Sequence, residues 1–238
     1  MRRVPAAAVG VVALVACLIA PSTAHAQQSL SFYFGGFAPS GEDGRAHNTG
    51  QSDDVLVNNL SFLAFDINDF HGGTAGAEYV VGLGEWLDAG LGVGIYKNTV
   101  PSVYADFVNS NGAEIEQDLR LRIVPFAATV RFLPLGRSKG VVPYVGAGLG
   151  VFNWQYSESG EFVDFRDMSV YRDSFAGSGT ATGPVVLGGL KFPLGAFSLG
   201  AEIRYQKAEG DLPADQDFSG QKIDLGGFTY AATFHIRF

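Results

Sequence analysis

The sequence predicts an all-β protein, a closed antiparallel eight-stranded up-and-down transmembrane β-barrel. Three observations carry that expectation. Apolar and polar residues alternate with period two along most of the chain. Short and long links between the alternating runs follow one another strictly. The last run, Phe228 to Phe238, continues to the final residue and ends on an aromatic ring. Period two sends successive side chains to opposite faces of a strand, so each run has one apolar and one polar face. A chain end normally frays, so an ordered terminal strand has to be held by neighbours.

The N-terminus sets the compartment. Arg2 and Arg3 precede an apolar stretch from Val4 to Ala20, and Ala24-His25-Ala26 is a small-residue cleavage site. This is the pattern of a secretory signal peptide, residues 1–26, followed by a barrel domain over residues 27–238. The apolar stretch is short for a transmembrane anchor. Leu14-Val15-Ala16-Cys17 has the shape of a lipoprotein processing site, but Leu18-Ile19-Ala20 after it is more apolar than such a site calls for. Cleavage after Ala26 removes the single cysteine and leaves no disulfide. It also removes two arginines and no acid, making the remainder more negative than the −8 of the whole sequence. Nothing supplies a basic stripe, which disfavours nucleic-acid binding.

Eight alternating runs are expected near residues 29–37, 74–84, 88–98, 118–133, 141–157, 179–191, 196–207 and 226–238. The body of the chain shows no helical periodicity and no apolar run long enough to span a membrane as a helix. Short links fall at 85–87, 135–140 and 192–195, long ones at 38–73, 99–117, 158–178 and 208–225. The stretch 59–65 is read as part of the first long link, because a strand there breaks the parity. All long links then lie at one end and both termini at the other, the asymmetry of transmembrane barrels. All but Glu78, Glu85, Asp88 and Glu202 of the 24 acids lie in or beside the long links, whereas Arg137 and Lys139 mark a turn at the opposite end.

Closure must pair the first run, around Leu30 to Phe34, with Thr229 to Arg237. Aligned by their apolar sides, the runs send Phe32, Phe34, Tyr79, Phe197, Tyr205, Tyr230, Phe234 and Phe238 outward, where they suit aromatic girdles. Glu78, Arg131, Glu202, Arg204, His235 and Arg237 take the inward face as a lumen polar network. Arg120 and Arg122 share a face with Val124 and Phe126 and are expected above the apolar band. An eight-stranded barrel is just wide enough for its side chains to fill, so a plugged lumen of paired charges is expected. Gly90, Gly92, Gly94, Gly146, Gly148 and Gly150 leave room there for water or for large partners such as Tyr96.

The signal segment, Pro143-Tyr144-Val145-Gly146-Ala147-Gly148-Leu149-Gly150, the alternating links and the terminal Phe238 together resemble the small eight-stranded outer-membrane barrels of Gram-negative bacteria, of the OmpA-type and OmpW-like kinds. The resemblance implies location in the cell outer membrane, among outer-membrane lipid and lipopolysaccharide. It also implies the barrel-assembly machinery as a partner, with Tyr230, Phe234, Ile236 and Phe238 as assembly signal and girdle. The expected role is structural, surface-interacting or small-solute, carried by a monomer with acidic loops outside. A narrow channel, a hydrophobic-ligand conduit and a lipid-modifying enzyme are the alternatives.

No cofactor and no metal is expected. Gly92-Val93-Gly94 and Gly146-Ala147-Gly148 neither open a helix nor precede a GK[ST] pair. His47, His71 and His235 lack zinc-ligand spacing. A catalytic site would have to assemble from His71 with Asp66, Asp69 and Thr74, which lie near it in sequence. The paired acids Asp53-Asp54, Glu114/Glu116, Asp164/Asp167 and Asp215/Asp217 match no defined calcium loop and read as solvated surface.

Overall fold

The computed structural model describes residues 28–45, 53–137 and 140–238. The expected signal segment, with Cys17, lies outside them, as do His47 and Lys139. Eight strands form the wall: β1 (Gln28–Pro39), β2 (Gly72–Gly82), β3 (Leu87–Val108), β4 (Glu114–Phe132), β5 (Val142–Asp164), β6 (Ser169–Leu194), β7 (Phe197–Gln206) and β8 (Gly227–Arg237). Each pairs antiparallel with the next. β8 returns to β1 with Phe32 opposite Phe234 and Gly36 opposite Tyr230. The ring is therefore closed. The last residue is held too, for the Phe238 amide donates to the Gln28 carbonyl at 3.1 Å.

The register fixes the tilt. From Phe32, the ladder through Ala77, Val93, Phe126 and Val151 arrives at Thr182 on β6. In the other direction, through Phe234 and Leu199, it arrives at Phe192 on the same strand. A ring that closes with such an offset has strands inclined to its axis.

The wall is taller than the sequence suggests. The second and third outer links are not long loops but tight turns at 109–113 and 165–168, because β3 to β6 run on well past the expected ends. Only 40–71 and 207–226 are long. The reason lies in the alternation itself, which continues but exchanges its faces. Along β4 the outward residues are Val124, Phe126, Ala128, Val130 and Phe132 below, then Arg122, Arg120, Asp118, Glu116 and Glu114 above. The inward ones are Arg131 and Thr129 below, then Ile123, Leu121, Leu119 and Ile115 above. β3 changes between Ile95 and Lys97, and β5 between Val151 and Gln155. These changes fall on neighbouring rows, since Lys97 lies opposite Arg122 and Arg122 opposite Gln155. Below that level the outer surface is apolar for about nine residues per strand, from Leu87 to Ile95 on β3 and from Phe197 to Tyr205 on β7, the length that spans a hydrocarbon core at a barrel's tilt. Above it the barrel is built like a water-soluble one.

The interior has two storeys. The lower holds charged and hydroxyl side chains. The upper is a hydrophobic core of Tyr96, Val100, Leu119, Leu121, Ile123, Phe152, Trp154 and Tyr156, closed by Val55, Leu56 and Phe70 from the first long link and by Ile223 and Leu225 from the last. Burial of each large apolar side chain contributes about 1.5–3 kcal/mol. The long links contain the short helices α1 (Glu42–Arg45) and α2 (Val55–Asn59), which carry too few turns to show a period in sequence. Asp54 caps α2, accepting from the Leu56 amide at 3.0 Å, pairs with Arg45 at 3.0 Å, and accepts from the Asp224 amide at 2.7 Å, so it ties the first link to the last. Part of the stretch 59–65 does form a strand: Leu63–Ala64 pairs with Val103 and Tyr104 on the extended β3, without disturbing the eight-stranded ring.

An arginine at Leu91, in the middle of the outer apolar belt, is expected to cost about 2–4 kcal/mol in folding into lipid vesicles. Arginine at Gln155, on the upper outer wall, is expected to change it by less than about 0.5 kcal/mol. Denaturant titration followed by heat-modifiable gel migration measures both.

Candidate functional site

The lower lumen is built from strand positions whose side chains the pleat turns inward. Glu78 on β2, Arg131 and Thr129 on β4, Tyr144 on β5, and Glu202 and Arg204 on β7 meet near the axis. The Arg131 guanidinium forms an ion pair with Glu78 and donates to Glu202 Oε2 at 3.1 Å. Arg204 donates to Glu202 Oε1 at 2.8 Å and stands 3.6 Å from Glu78. Thr129 donates to the other Glu78 oxygen at 3.0 Å, and the Tyr144 hydroxyl to Glu202 at 2.9 Å. Two carboxylates and two guanidiniums cancel in charge, and each carboxylate oxygen has a donor. In a low-dielectric interior that arrangement is the one in which buried ions are tolerated.

Aromatic rings complete the cage. Arg131 lies 5.1 Å from the centre of the Tyr144 ring, and Arg204 lies 5.4 Å from that of Tyr33. The inward glycines make space for these groups: a Cβ on Gly94 would overlap the Tyr33 hydroxyl, and one on Gly90 the Glu78 carboxylate. The expected large partner among them, Tyr96, sits instead in the upper storey, where its hydroxyl donates to the Phe70 carbonyl.

A second charged layer lies nearer the turn end. Asp88 is paired with Arg137 and with Lys191, the latter at 3.1 Å. Arg137, just after β4, folds back into the mouth instead of standing on the surface. His235 faces inward but bonds only Thr233, at 3.0 Å, and does not join the Glu78–Arg131–Glu202–Arg204 cluster. Arg237 lies at the rim, donating to the Gly195 carbonyl at 2.6 Å. On the outside, Tyr230 and Phe238 are exposed, while Phe234 stacks on Phe197 at 5.6 Å and Ile236 faces Leu30.

Sequence reasoning missed Tyr33, Tyr144, Asp88 and Lys191. Their signal was available, since each is the inward residue of its strand by parity, but tyrosine and lysine also suit a girdle. Among the described residues, two cavities in the lumen are small, about 100 Å³ at the turn-end mouth and about 20 Å³ between Tyr33, Phe152 and Arg204. The inner one has room for about one water.

Several of the remaining candidates for chemistry serve the fold. Asp66 and Asp69 form a capping box on the 3₁₀ turn Ile67–Phe70. Thr74 donates to the Ile95 carbonyl, and His71 is exposed. Among the paired acids, Asp54 is buried on Arg45, and Asp167 accepts from the Ser169 amide. Three or more potential metal ligands do not gather anywhere among the described residues.

Replacing Arg131 with methionine is expected to destabilise the barrel by about 3–5 kcal/mol, because Glu78 and Glu202 lose their shared cation. Adding Glu78→Gln to that variant should recover part of the loss. Urea titration in vesicles, read by tryptophan fluorescence, checks both.

No family model matches the sequence, and neither does any curated protein. Among solved structures the chain is similar to Neisserial surface protein A, with 14% identity, 89% of this chain and 97% of that one covered, and a TM-score of 0.47. It is also similar to Ail, the attachment invasion locus protein of Yersinia pestis, with 13% identity, 90% and 99% covered, and a TM-score of 0.43. The outer membrane protein AlkL, solved in lipid bilayers, gives 15%, 92%, 94% and 0.43. The architecture itself rests on the strand pairings. In fold, this chain is an eight-stranded antiparallel β-barrel closed between its first and last strands.

Proposed function

We propose that the protein is an integral outer-membrane β-barrel whose lumen is closed, and that it serves as an anchor holding a rigid strand-built platform on the outer side for a structural or surface-binding role. The observation that carries this reading is the level at which the alternation exchanges faces on neighbouring strands. Only a boundary between hydrocarbon and water asks one strand to be apolar-out below and polar-out above. Beyond that boundary β5 and β6 continue for about ten residues each, roughly 30 Å of strand at 3.3 Å per residue.

The outer surface just above the apolar belt supports lipopolysaccharide as the surrounding lipid. Lys97 lies opposite Arg122, and Arg120 opposite Thr99, all facing outward just above the apolar belt. Cations at that height suit lipid phosphates. Phe238, exposed at the opposite rim, is the residue this reading gives to the assembly machinery.

A conducting role is disfavoured by the packing. The upper storey is a filled apolar core, the lower a neutralised charge cluster, and the inner cavity between them has room for about one water. A hydrophobic conduit would need a continuous apolar passage, whereas the apolar storey rests on a charged floor. The reading is also non-catalytic, since the acids beside His71 are committed to capping.

The purified protein in planar bilayers is expected to show no steady conductance; a stable open level would overturn the closed anchor. Membrane fractionation should place the protein with the outer membrane, extractable only with detergent. Deleting Phe238 is expected to lower the inserted fraction in cells, read by heat-modifiable migration, and unimpaired insertion would remove its role as an assembly signal.

A further inference from the structure

A separate cavity lies at the outer mouth, above the membrane boundary. Its volume is about 350 Å³, at the small end of the range for ligand pockets. Four parts of the chain that are remote in sequence line it: Phe62 from the first link, Tyr104 and Gln117 from β3 and β4, the 158–175 hairpin, and Asp217 with Ser219 from the last link.

Its walls are aromatic. Phe62, Tyr104 and Phe165 pack against one another with ring centres 5.8–6.5 Å apart. In a second group, Phe162 packs with Tyr171 at 5.8 Å and with Phe175 at 4.8 Å. Phe165 and Tyr171 are exposed at the rim, so the cavity opens outward.

Glu158 also lines the cavity and is 5% exposed. One of its oxygens, Oε1, is held by the Asn59 amide at 2.7 Å and the Tyr156 hydroxyl at 2.8 Å. No cation stands within ion-pair distance of it among the described residues. This is unlike the lumen, where each buried carboxylate has a guanidinium or ammonium partner. The Glu158 pKa is raised on balance, because burial outweighs the Asn59 and Tyr156 hydrogen bonds that lower it. Gln117, also buried and lining the cavity, spends its amide group on the Tyr104 hydroxyl and the Glu161 carbonyl, and its Oε1 has no partner. Among the described residues that line the cavity the one cation is Arg166, nearly fully exposed and beside Asp164 at 3.5 Å; Asp217 adds a further acid.

A carboxylate without a counter-ion beside aromatic ring faces is the chemistry that recognises an organic cation. We propose that this mouth cavity is a binding site for a small organic ammonium group, with Glu158 supplying the charge, the rings supplying cation–π contact, and Gln117 Oε1 accepting a hydrogen bond from the ligand. The site goes beyond the anchoring role and does not rest on it, because every lining group lies outside the lipid-facing belt.

Two probes of equal shape separate charge from greasiness: choline and its neutral isostere 3,3-dimethylbutan-1-ol. Isothermal titration of the full-length mature protein in detergent micelles is expected to show choline binding at least about tenfold tighter than the alcohol. Glu158→Gln keeps an oxygen for Asn59 and Tyr156 and removes the charge. It should weaken choline about tenfold and leave the alcohol unchanged. Phe165→Ala, at the exposed rim, should weaken choline by about threefold or more while heat-modifiable migration stays that of the parent. Equal affinity for the two probes would show a merely apolar pocket and overturn the proposal. So would absence of choline binding to the parent protein, or choline affinity unchanged in both variants.

Discussion

Within hydrocarbon no backbone amide or carbonyl can be left without a partner, and the rest of this structure follows from that constraint. A sheet meets it only by closing, so β8 must find β1, and the final residues cannot fray. Closing with eight strands fixes a narrow bore. A narrow bore between strands whose outer faces are apolar must be filled by the other face, which is polar because the strands alternate. Glu78, Arg131, Glu202 and Arg204 are therefore the interior that an apolar exterior leaves to be neutralised. Tyr33 and Tyr144 close over the guanidiniums, and glycines opposite them give the rings room.

The exchange of faces above the belt is the same physics in a different solvent. Where lipid gives way to water, apolar side chains gain by turning inward, and the strands that continue form a soluble-type core. The upper core then needs a roof, because β1, β2, β7 and β8 stop short of β3 to β6. The two long links supply it, with Val55, Leu56 and Phe70 from one and Ile223 and Leu225 from the other, tied together through Asp54. This roof is also what brings Asn59 to Glu158, so the mouth cavity is a consequence of unequal strand lengths.

Much of the wall was legible in the sequence. The alternation in 88–98 and 196–207 placed Leu91 and Ile203 outward and Glu202 and Arg204 inward. Arg120 and Arg122 were placed above the belt because they share a face with Phe126. What misled was the assumption that a strand ends where its outward face stops being apolar. Glu114 and Glu116 looked like loop acids, yet Ile115 between them and Leu119 beyond carry the same period with the faces exchanged. The polar pairing was legible residue by residue but not as a network. Which carboxylate meets which guanidinium depends on register across strands far apart in the chain, as in Glu78 with Arg131.

By itself the sequence determined which residues alternate, how many runs there are, which ends share a side, and that the last strand must be held. These are local properties, set by the pleat of a single strand and by the entropy of its ends. Only the tertiary structure decided that β3 to β6 rise beyond the apolar belt, that Arg137 turns back to pair with Asp88, and that Glu158 lines the mouth cavity with no cation in ion-pair reach among the described residues. Each of these depends on the offset at which the ring closes and on where long links come to rest, and such positions are fixed by packing among segments that local pattern does not relate.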